Sequence, residues 1–443
     1  MELRDLIVTP VIIIFVYIGA YLVRPYVTDP FNRKYFFPAL TARILGALAL
    51  GFLYQFYYRG GDTMNYHVHG SRHIWEAFIE SPTMGFKLLF AEGQYGPGYW
   101  DYAEKIWYYR DQQSYFVIRI ATVFDLVTFS SYSATAVLFG VLAFAGGWMM
   151  FQTFYEKNRG AIKLLAISCL FIPSVIFWGS GILKDTVTVA FIGAATFCIS
   201  KIFLDKKIKI GYIILLLISF YCVYSIKKYV LISFLAGVFV WITSAYFLRV
   251  GSTMLRILLI PFFAIFCIAS SYFTVNRVVK DDARYSLDKI AETARITAYD
   301  IRYGWGKDGG SGYSLGELDG TIPTMIKLAP KAINVSLFRP YPWEVANPLM
   351  AFSALESLFT LLITLYVLLN VRLKLFQYLN AEIIFCVVFA LIFAFGVGIS
   401  TYNFGTLARY KILLLPYYLT AISLLYYYWN NDRKREALER TEN

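Results

Sequence analysis

Apolar runs long enough to cross a bilayer recur from one end of this chain to the other, and that repetition restricts the fold more than any motif. They cover residues 6–23, 39–58, 133–154, 162–178, 186–204, 210–226, 229–248, 255–273, 348–369, 383–399 and 407–429. The expectation is an all-α integral membrane protein with about eleven transmembrane helices (10–12), forming a single polytopic domain over 1–443. Composition agrees: 58% of residues are hydrophobic and only 16% are charged, whereas soluble domains carry about a quarter charged residues. The longest polar stretches are two loops, 59–115 and 274–347, each expected to bear interfacial helices. The first apolar run has Arg4 and Asp5 ahead of it and no small-residue cleavage site behind it, so no cleavable signal peptide is expected. Residues 116–131 are ambiguous, being apolar but short and interrupted by Arg119 and Asp125. They read as an interfacial or re-entrant helix, with a true span as the alternative.

The formal net charge of +12 does not indicate nucleic acid as a partner, because excess Lys and Arg in a membrane protein collect in cytoplasmic loops facing anionic lipid. The clusters are Arg24, Arg33 and Lys34; Lys157, Arg159 and Lys163; Lys206, Lys207 and Lys209; Arg249 and Arg256; Arg372 and Lys374; and Arg433, Lys434 and Arg435. With eleven spans they all fall on one side, which puts the N-terminus outside and the C-terminus inside. The expected location is the inner, cytoplasmic membrane. The unusual loops, 59–115, 179–185, 227–228, 274–347 and 400–406, then share the outer face. The five cysteines, Cys169, Cys198, Cys222, Cys267 and Cys386, lie inside apolar runs without metal-ligand spacing and read as small core residues.

The outer loops hold the chemistry. Gly60-Gly61-Asp62-Thr63-Met64-Asn65-Tyr66-His67 follows the second run. It presents Asp62 as a carboxylate at the mouth of a site, with Asn65, Tyr66 and His67 on the acceptor side. The plain alternative is an N-cap Asp starting a helix around His69 to Phe78. His69 and His73, four apart, can share a helix face and with Asp62 or Glu76 hold a divalent metal, the sole candidate cofactor. A polar interfacial helix with Trp75 and Phe78 dipping into lipid is the reading favoured over it. Aromatics at Tyr95, Tyr99, Trp100 and Trp107–Tyr109 suit sugar rings, lipid headgroups or an ordinary interfacial belt.

Lys184 and Asp185 open a span after Pro173 and a glycine-loosened turn, where helix N–H groups favour an anion. A local cap with a snorkelling Lys is the alternative. Arg339-Pro340-Tyr341-Pro342-Trp343-Glu344 would present Arg339, Trp343 and Glu344 rigidly, for bidentate phosphate binding or as a structural Arg339–Glu344 pair. Residues 304–312, rich in glycine, read as a flexible segment and a candidate lid. Arg409 and Lys411 lie in the last span, where cations are costly unless they face a cavity or partner. Together with Lys184 and Arg339 they suit an anionic, lipid-anchored substrate.

Gly61-Asp62 after an early span, an outer loop with interfacial helices, Pro173-Ser174…Trp178…Gly181…Lys184-Asp185, and Arg409-Tyr410…Pro416 in the last span resemble the GT-C class of integral membrane glycosyltransferases. The resemblance covers the ordering of most of the chain through short, degenerate motifs. It implies a polyprenyl-phosphate-linked sugar donor and a glycan, lipid or protein acceptor beside membrane lipids. It also implies inverting transfer, with Asp62 as base and Lys184, Arg339, Arg409 and Lys411 on the lipid phosphate. One departure is that family members usually carry the acid after the first span, whereas Asp62 follows the second. The layout is also similar to O-antigen and exopolysaccharide polymerases, which act on lipid-linked repeat units. A non-enzymatic transporter or flippase of a charged lipid would use the same basic cavity without a base.

Overall fold

The computed structural model describes residues 2–248, 289–303 and 311–442. The expected span 255–273 with its Cys267, the cations Arg249 and Arg256, and residues 304–310 of the glycine-rich segment lie outside the described residues. Among the described residues the protein is helical throughout, with no strand beyond an isolated bridge between Gly312 and Asn403.

Seven helices there are long and apolar enough to cross a membrane: Leu3–Val27, Arg33–Tyr57, Tyr132–Lys157, Lys184–Leu204, Lys228–Phe247, Pro348–Tyr378 and Ala381–Thr401. By length and composition this is an all-α membrane protein. Leu6, Ile14, Phe15 and Leu22 of the first helix lie open on its surface, an arrangement that lipid stabilises and water penalises.

Two expected spans are broken, each at a proline. The run 162–178 forms helices Ile162–Leu170 and Pro173–Trp178, because the residue before Pro173 is pushed out of the helical region and Pro is preorganised for the first helical turn. The run 407–429 falls within Phe404–Leu413 and Leu415–Glu439, which meet at 59°. Pro416 removes an N–H there and its ring would collide with the carbonyl four residues earlier. If that bent pair is one span, it is the eighth among the described residues. Ile210–Ile226 is apolar but only 17 residues long. The ambiguous stretch 116–131 lies mostly in a helix, Gln112–Thr128.

The chain folds into two compact units. The first comprises Met1–Thr153, Val175–Cys198 and Ile208–Lys228. Within it, Tyr132–Lys157 and Lys184–Ile199 approach through glycine. A Cβ at Gly146 would collide with the Ala190 carbonyl, and one at Gly193 with that of Gly146. Small residues at a crossing let backbones meet closely, which is how helices gain packing energy where no hydrophobic effect separates them from lipid. The loop after the second span is a chain of short helices, including Asp62–Tyr66, Arg72–Glu80 and Pro82–Leu89.

The second unit comprises Phe154–Ser174, Ile199–Lys207 and Tyr229–Asn443. Ala381–Thr401 is central there and packs against Ala329–Phe338, Leu415–Glu442 and Ile290–Tyr303. Its core is aromatic, with Trp241 stacked on Phe385 at 4.3 Å and Phe389 edge-on to Tyr417 at 4.7 Å.

Candidate functional site

The first unit gathers charge around the Asp62 loop. Gly60 and Gly61 have φ of 144° and 111°, which L side chains rarely adopt, and a Cβ at Gly61 would strike the Tyr54 ring at 2.9 Å. Gly61, not Asp62, is the N-cap, so Asp62 is the first residue of its own short helix, Asp62–Tyr66. That differs from a capping Asp ahead of His69. π-helical turns, Leu53–Tyr57 and His67–Ser71, lie on both sides of this motif; such bulges concentrate at functional sites.

Asp62 is half-buried, while the residues behind it are locked in place. The hydroxyls of Thr63 and Tyr132 share a hydrogen bond of 2.7 Å. Tyr66 is buried against Tyr108, whose hydroxyl accepts from Asn65 Nδ2 at 3.2 Å. His67 is fully buried with Nε2 3.3 Å from Asp125 Oδ1, and that oxygen accepts from Thr135 Oγ1 at 2.6 Å. The His67–Asp125 approach lacks hydrogen-bond alignment and leaves both ring nitrogens without a hydrogen-bond partner among the described residues. Tyr66 and His67, expected on the acceptor side, are thus buried, Tyr66 against Tyr108 of the same loop and His67 against Asp125 of Gln112–Thr128.

The turn leading to Lys184 is set by a residue in the second span. Arg43 is buried, and its guanidinium donates to the carbonyls of Val175 at 2.6 Å and Gly179 at 2.9 Å. Those carbonyls end the helix Pro173–Trp178, where a cation is favoured. Lys184 begins the next helix, with Nζ 3.4 Å from Asp111 Oδ2, and its ammonium also feels the charges of Asp62 and Lys227. Burial pushes the Asp111 carboxyl up. The Ser114 hydroxyl, the Lys184 ammonium and the Gln113 N–H outweigh this and hold it below the ordinary carboxylate range. Asp185 is buried and paired with Lys227 Nζ, so it anchors that lysine rather than facing a ligand.

The second unit holds the other expected anion-binding residues, and there Arg339 and Lys411 have fixed partners. Arg339 grips Glu344 with a fork, its Nε 3.1 and 3.0 Å from the two carboxylate oxygens and its Nη2 on one of them. The guanidinium also lies over the rings of Tyr313, Tyr341 and Phe404. The Arg339–Pro340 peptide is cis. Of the two sequence readings, the structural pair is the one realised: this fork is occupied within the protein. Trp343 stacks on Tyr341 and stands 80% exposed.

Lys411 is fully buried and donates to Ser357 Oγ at 2.7 Å, and Ser357 donates to the Arg339 carbonyl at 3.0 Å. Glu356, whose charge reaches Lys411, accepts from the Ser174 N–H at 2.9 Å. Arg409 is half-buried on the short helix Phe404–Tyr410, which Asn403 caps by accepting from the Gly405 and Thr406 N–H groups. The expected basic cluster therefore divides between the units, Lys184 in the first and Arg339, Arg409 and Lys411 in the second.

His69 stacks flat on Trp107, with centroids 4.0 Å apart, and His73 Nδ1 lies 3.1 Å from Glu76 Oε2. Among the described residues no group of three or more His, Cys, Asp or Glu side chains gathers to hold a metal.

Sequence reasoning passed over Arg43, Asp111 and Glu356, and set Lys227 in an outer loop without naming Asp185 as its partner. Arg43 and Glu356 carried a usable signal, since each is an isolated charge inside an apolar run. Asp111 carried none, because its link to Lys184 spans 73 residues. No known protein family, curated protein or solved structure matches this chain.

Proposed function

We propose that this protein is a membrane glycosyltransferase that moves a sugar from a polyprenyl-phosphate carrier to an acceptor hydroxyl at the outer face of the cytoplasmic membrane. The observation that carries this reading is Lys184, at a helix N-terminus and within the field of two carboxylates, Asp62 and Asp111. Asp111 is committed to Ser114 and to capping Gln112–Thr128. Asp62 is half-buried on a glycine-shaped turn, next to Thr63 and Asn65, which are held by Tyr132 and Tyr108. A base must be held close to a reacting hydroxyl, and a leaving phosphate needs a cation placed in advance. In the proposed step Asp62 takes the acceptor proton and the oxygen forms its bond to sugar C1. The C1–O bond to the lipid phosphate breaks with its electron pair, and Lys184 offsets the charge that develops on the phosphate.

The topology belongs to the same proposal: eleven spans, positive clusters inside, and the loops 59–115 and 274–347 outside. Cysteines placed at exposed Asp101, Glu317 and Lys206 test it in intact cells. An impermeant thiol reagent should label the first two and spare the third; equal labelling of Lys206 and Asp101 positions refutes it.

The catalytic reading is tested with purified full-length protein in lipid, a radiolabelled polyprenyl-phosphate sugar and a glycan acceptor. Asp62→Asn should keep donor binding and lose transfer. If the wild-type protein only moves the donor across the bilayer, and the variant does so equally well, the protein is a flippase.

A further inference from the structure

At one end of the second unit, helices Pro348–Val371 and Leu415–Glu442 pack side by side. The 3-10 turn Arg372–Lys374 closes a cavity of about 450 Å³ between them, lined by Arg372, Lys374, Trp429, Arg433 and Glu436 among others. The three cations there are not equivalent. Lys374 Nζ is bound to Glu436 at 2.8 Å and to Asp432 at 3.5 Å, so its charge is neutralised. Arg433 lies over the Trp429 ring at 5.7 Å, and Arg372 spends only its Nε, on the Leu369 carbonyl at 3.0 Å. Among the described residues neither guanidinium has a carboxylate partner.

Arg372 also holds a backbone conformation, φ 46° and ψ −132°, that L residues rarely adopt. Strain of this kind persists where the surroundings over-determine it and concentrates at ligand clamps. Beside the cavity, Leu369, Leu373 and Phe376 are 67%, 84% and 73% exposed. Two guanidiniums without a carboxylate partner among the described residues match a phosphate, which their remaining N–H groups can bind. The exposed apolar side chains next to them match acyl chains rather than water. Trp429 already carries Arg433 on its face, so it does not offer that face to a choline cation.

We propose that this cavity binds the phosphodiester headgroup of an anionic membrane lipid, with Arg372 and Arg433 as its clamp and Leu373 and Phe376 against its chains. The site is independent of the sugar-transfer reading, since none of its residues belongs to the Asp62–Lys184 cluster.

The test is thermal unfolding of the full chain in neutral detergent, titrated with phosphatidylglycerol, phosphatidylcholine or inorganic phosphate. A ligand that binds only the native state raises the midpoint. Phosphatidylglycerol should raise it, while the other two at equal concentration should not. Arg372→Gly and Arg433→Gln should each weaken apparent phosphatidylglycerol affinity about tenfold, the loss expected for one charge-assisted hydrogen bond, and together about a hundredfold. Glycine accepts the positive φ at 372 and Arg433 is on the surface, so both variants should match wild type in detergent alone. Undiminished phosphatidylglycerol protection in the double variant overturns the proposal, as does equal protection by inorganic phosphate.

Discussion

The charge cluster of the first unit and the polar network of the second are built from the same residue types, yet they differ in commitment. In the second unit Arg339 is locked to Glu344 and Lys411 to Ser357, and Glu356 holds the Ser174 N–H. In the first unit one ammonium, Lys184, answers to more than one carboxylate, and Asp62 sits half-buried on a glycine turn. In the sequence both read as candidate phosphate binders: Arg339, followed by Pro340 and Pro342, as a rigidly presented clamp, and Lys184 as a cation at a helix N-terminus. A cation's availability is set by which acids reach it, and those partners lie across the fold rather than next to it in the chain.

The largest expected effect breaks the comparison on the side of the first unit. Asp62→Asn keeps the shape and removes the base, so transfer should fall about 10²–10⁴-fold while donor binding and unfolding stay close to wild type. Asp111→Asn keeps a capping side chain and removes one charge from Lys184, so its loss should be smaller. Equal losses in a steady-state assay would mean that the two acids act as one unit and that Asp62 has no special role.

Next in size are stability effects in the second unit. Lys411→Met removes the donor to buried Ser357, which keeps only its bond to the Arg339 carbonyl, and takes away the cation that the Glu356 charge reaches, which should cost about 1.5–3 kcal/mol in denaturant unfolding. A Lys411→Arg change should not restore it, because the side chain is 1% exposed and has no room for a larger fork. A double-mutant cycle on Arg339→Ala and Glu344→Ala should yield a coupling within about 0.5–3 kcal/mol, and donor affinity should be unchanged. Zero coupling, together with lost donor affinity in Arg339→Ala, would return Arg339 to the role of a substrate clamp.

How much of this was legible beforehand depends on distance along the chain. The seven described spans follow from local apolarity, and each break coincides with a visible proline, Pro173 or Pro416. Asp62 and its glycines were legible because a positive φ and an acid beside a span are local features. The buried roles of His67 and Asp185 were not, because Asp125 and Lys227, which receive them, lie 58 and 42 residues away by sequence number. Arg43 was legible in principle as a lone charge in an apolar run, but its acceptors, carbonyls of the Val175–Gly179 turn, have no side-chain signature at all.

The smallest expected effect separates the two regions by acid titration. In each, burial pushes a carboxyl up and a cation and hydrogen bonds bring it below its ordinary value. For Glu344 the fork of Arg339 and the Tyr341 N–H do this; for Asp111 it is Ser114, Lys184 and the Gln113 N–H. A carboxyl whose folded value is depressed contributes stability that is fully present above its unfolded value and is lost as pH falls through the folded one. The ordinary values are 4.5 for Glu344 and 3.8 for Asp111, so the Glu344 contribution begins to fade at the higher pH. Glu344→Gln should therefore flatten the upper part of the acid limb of stability against pH, and Asp111→Asn only the lower part. Near pH 7 the flattening amounts to a constant offset, about 0.2–1 kcal/mol for Glu344 after screening of a partly exposed pair. Unfolding midpoints from pH 3 to pH 7 in the two variants read this directly. Identical acid limbs in wild type and Glu344→Gln would mean that the Arg339 fork stabilises nothing measurable and is free for an anion after all.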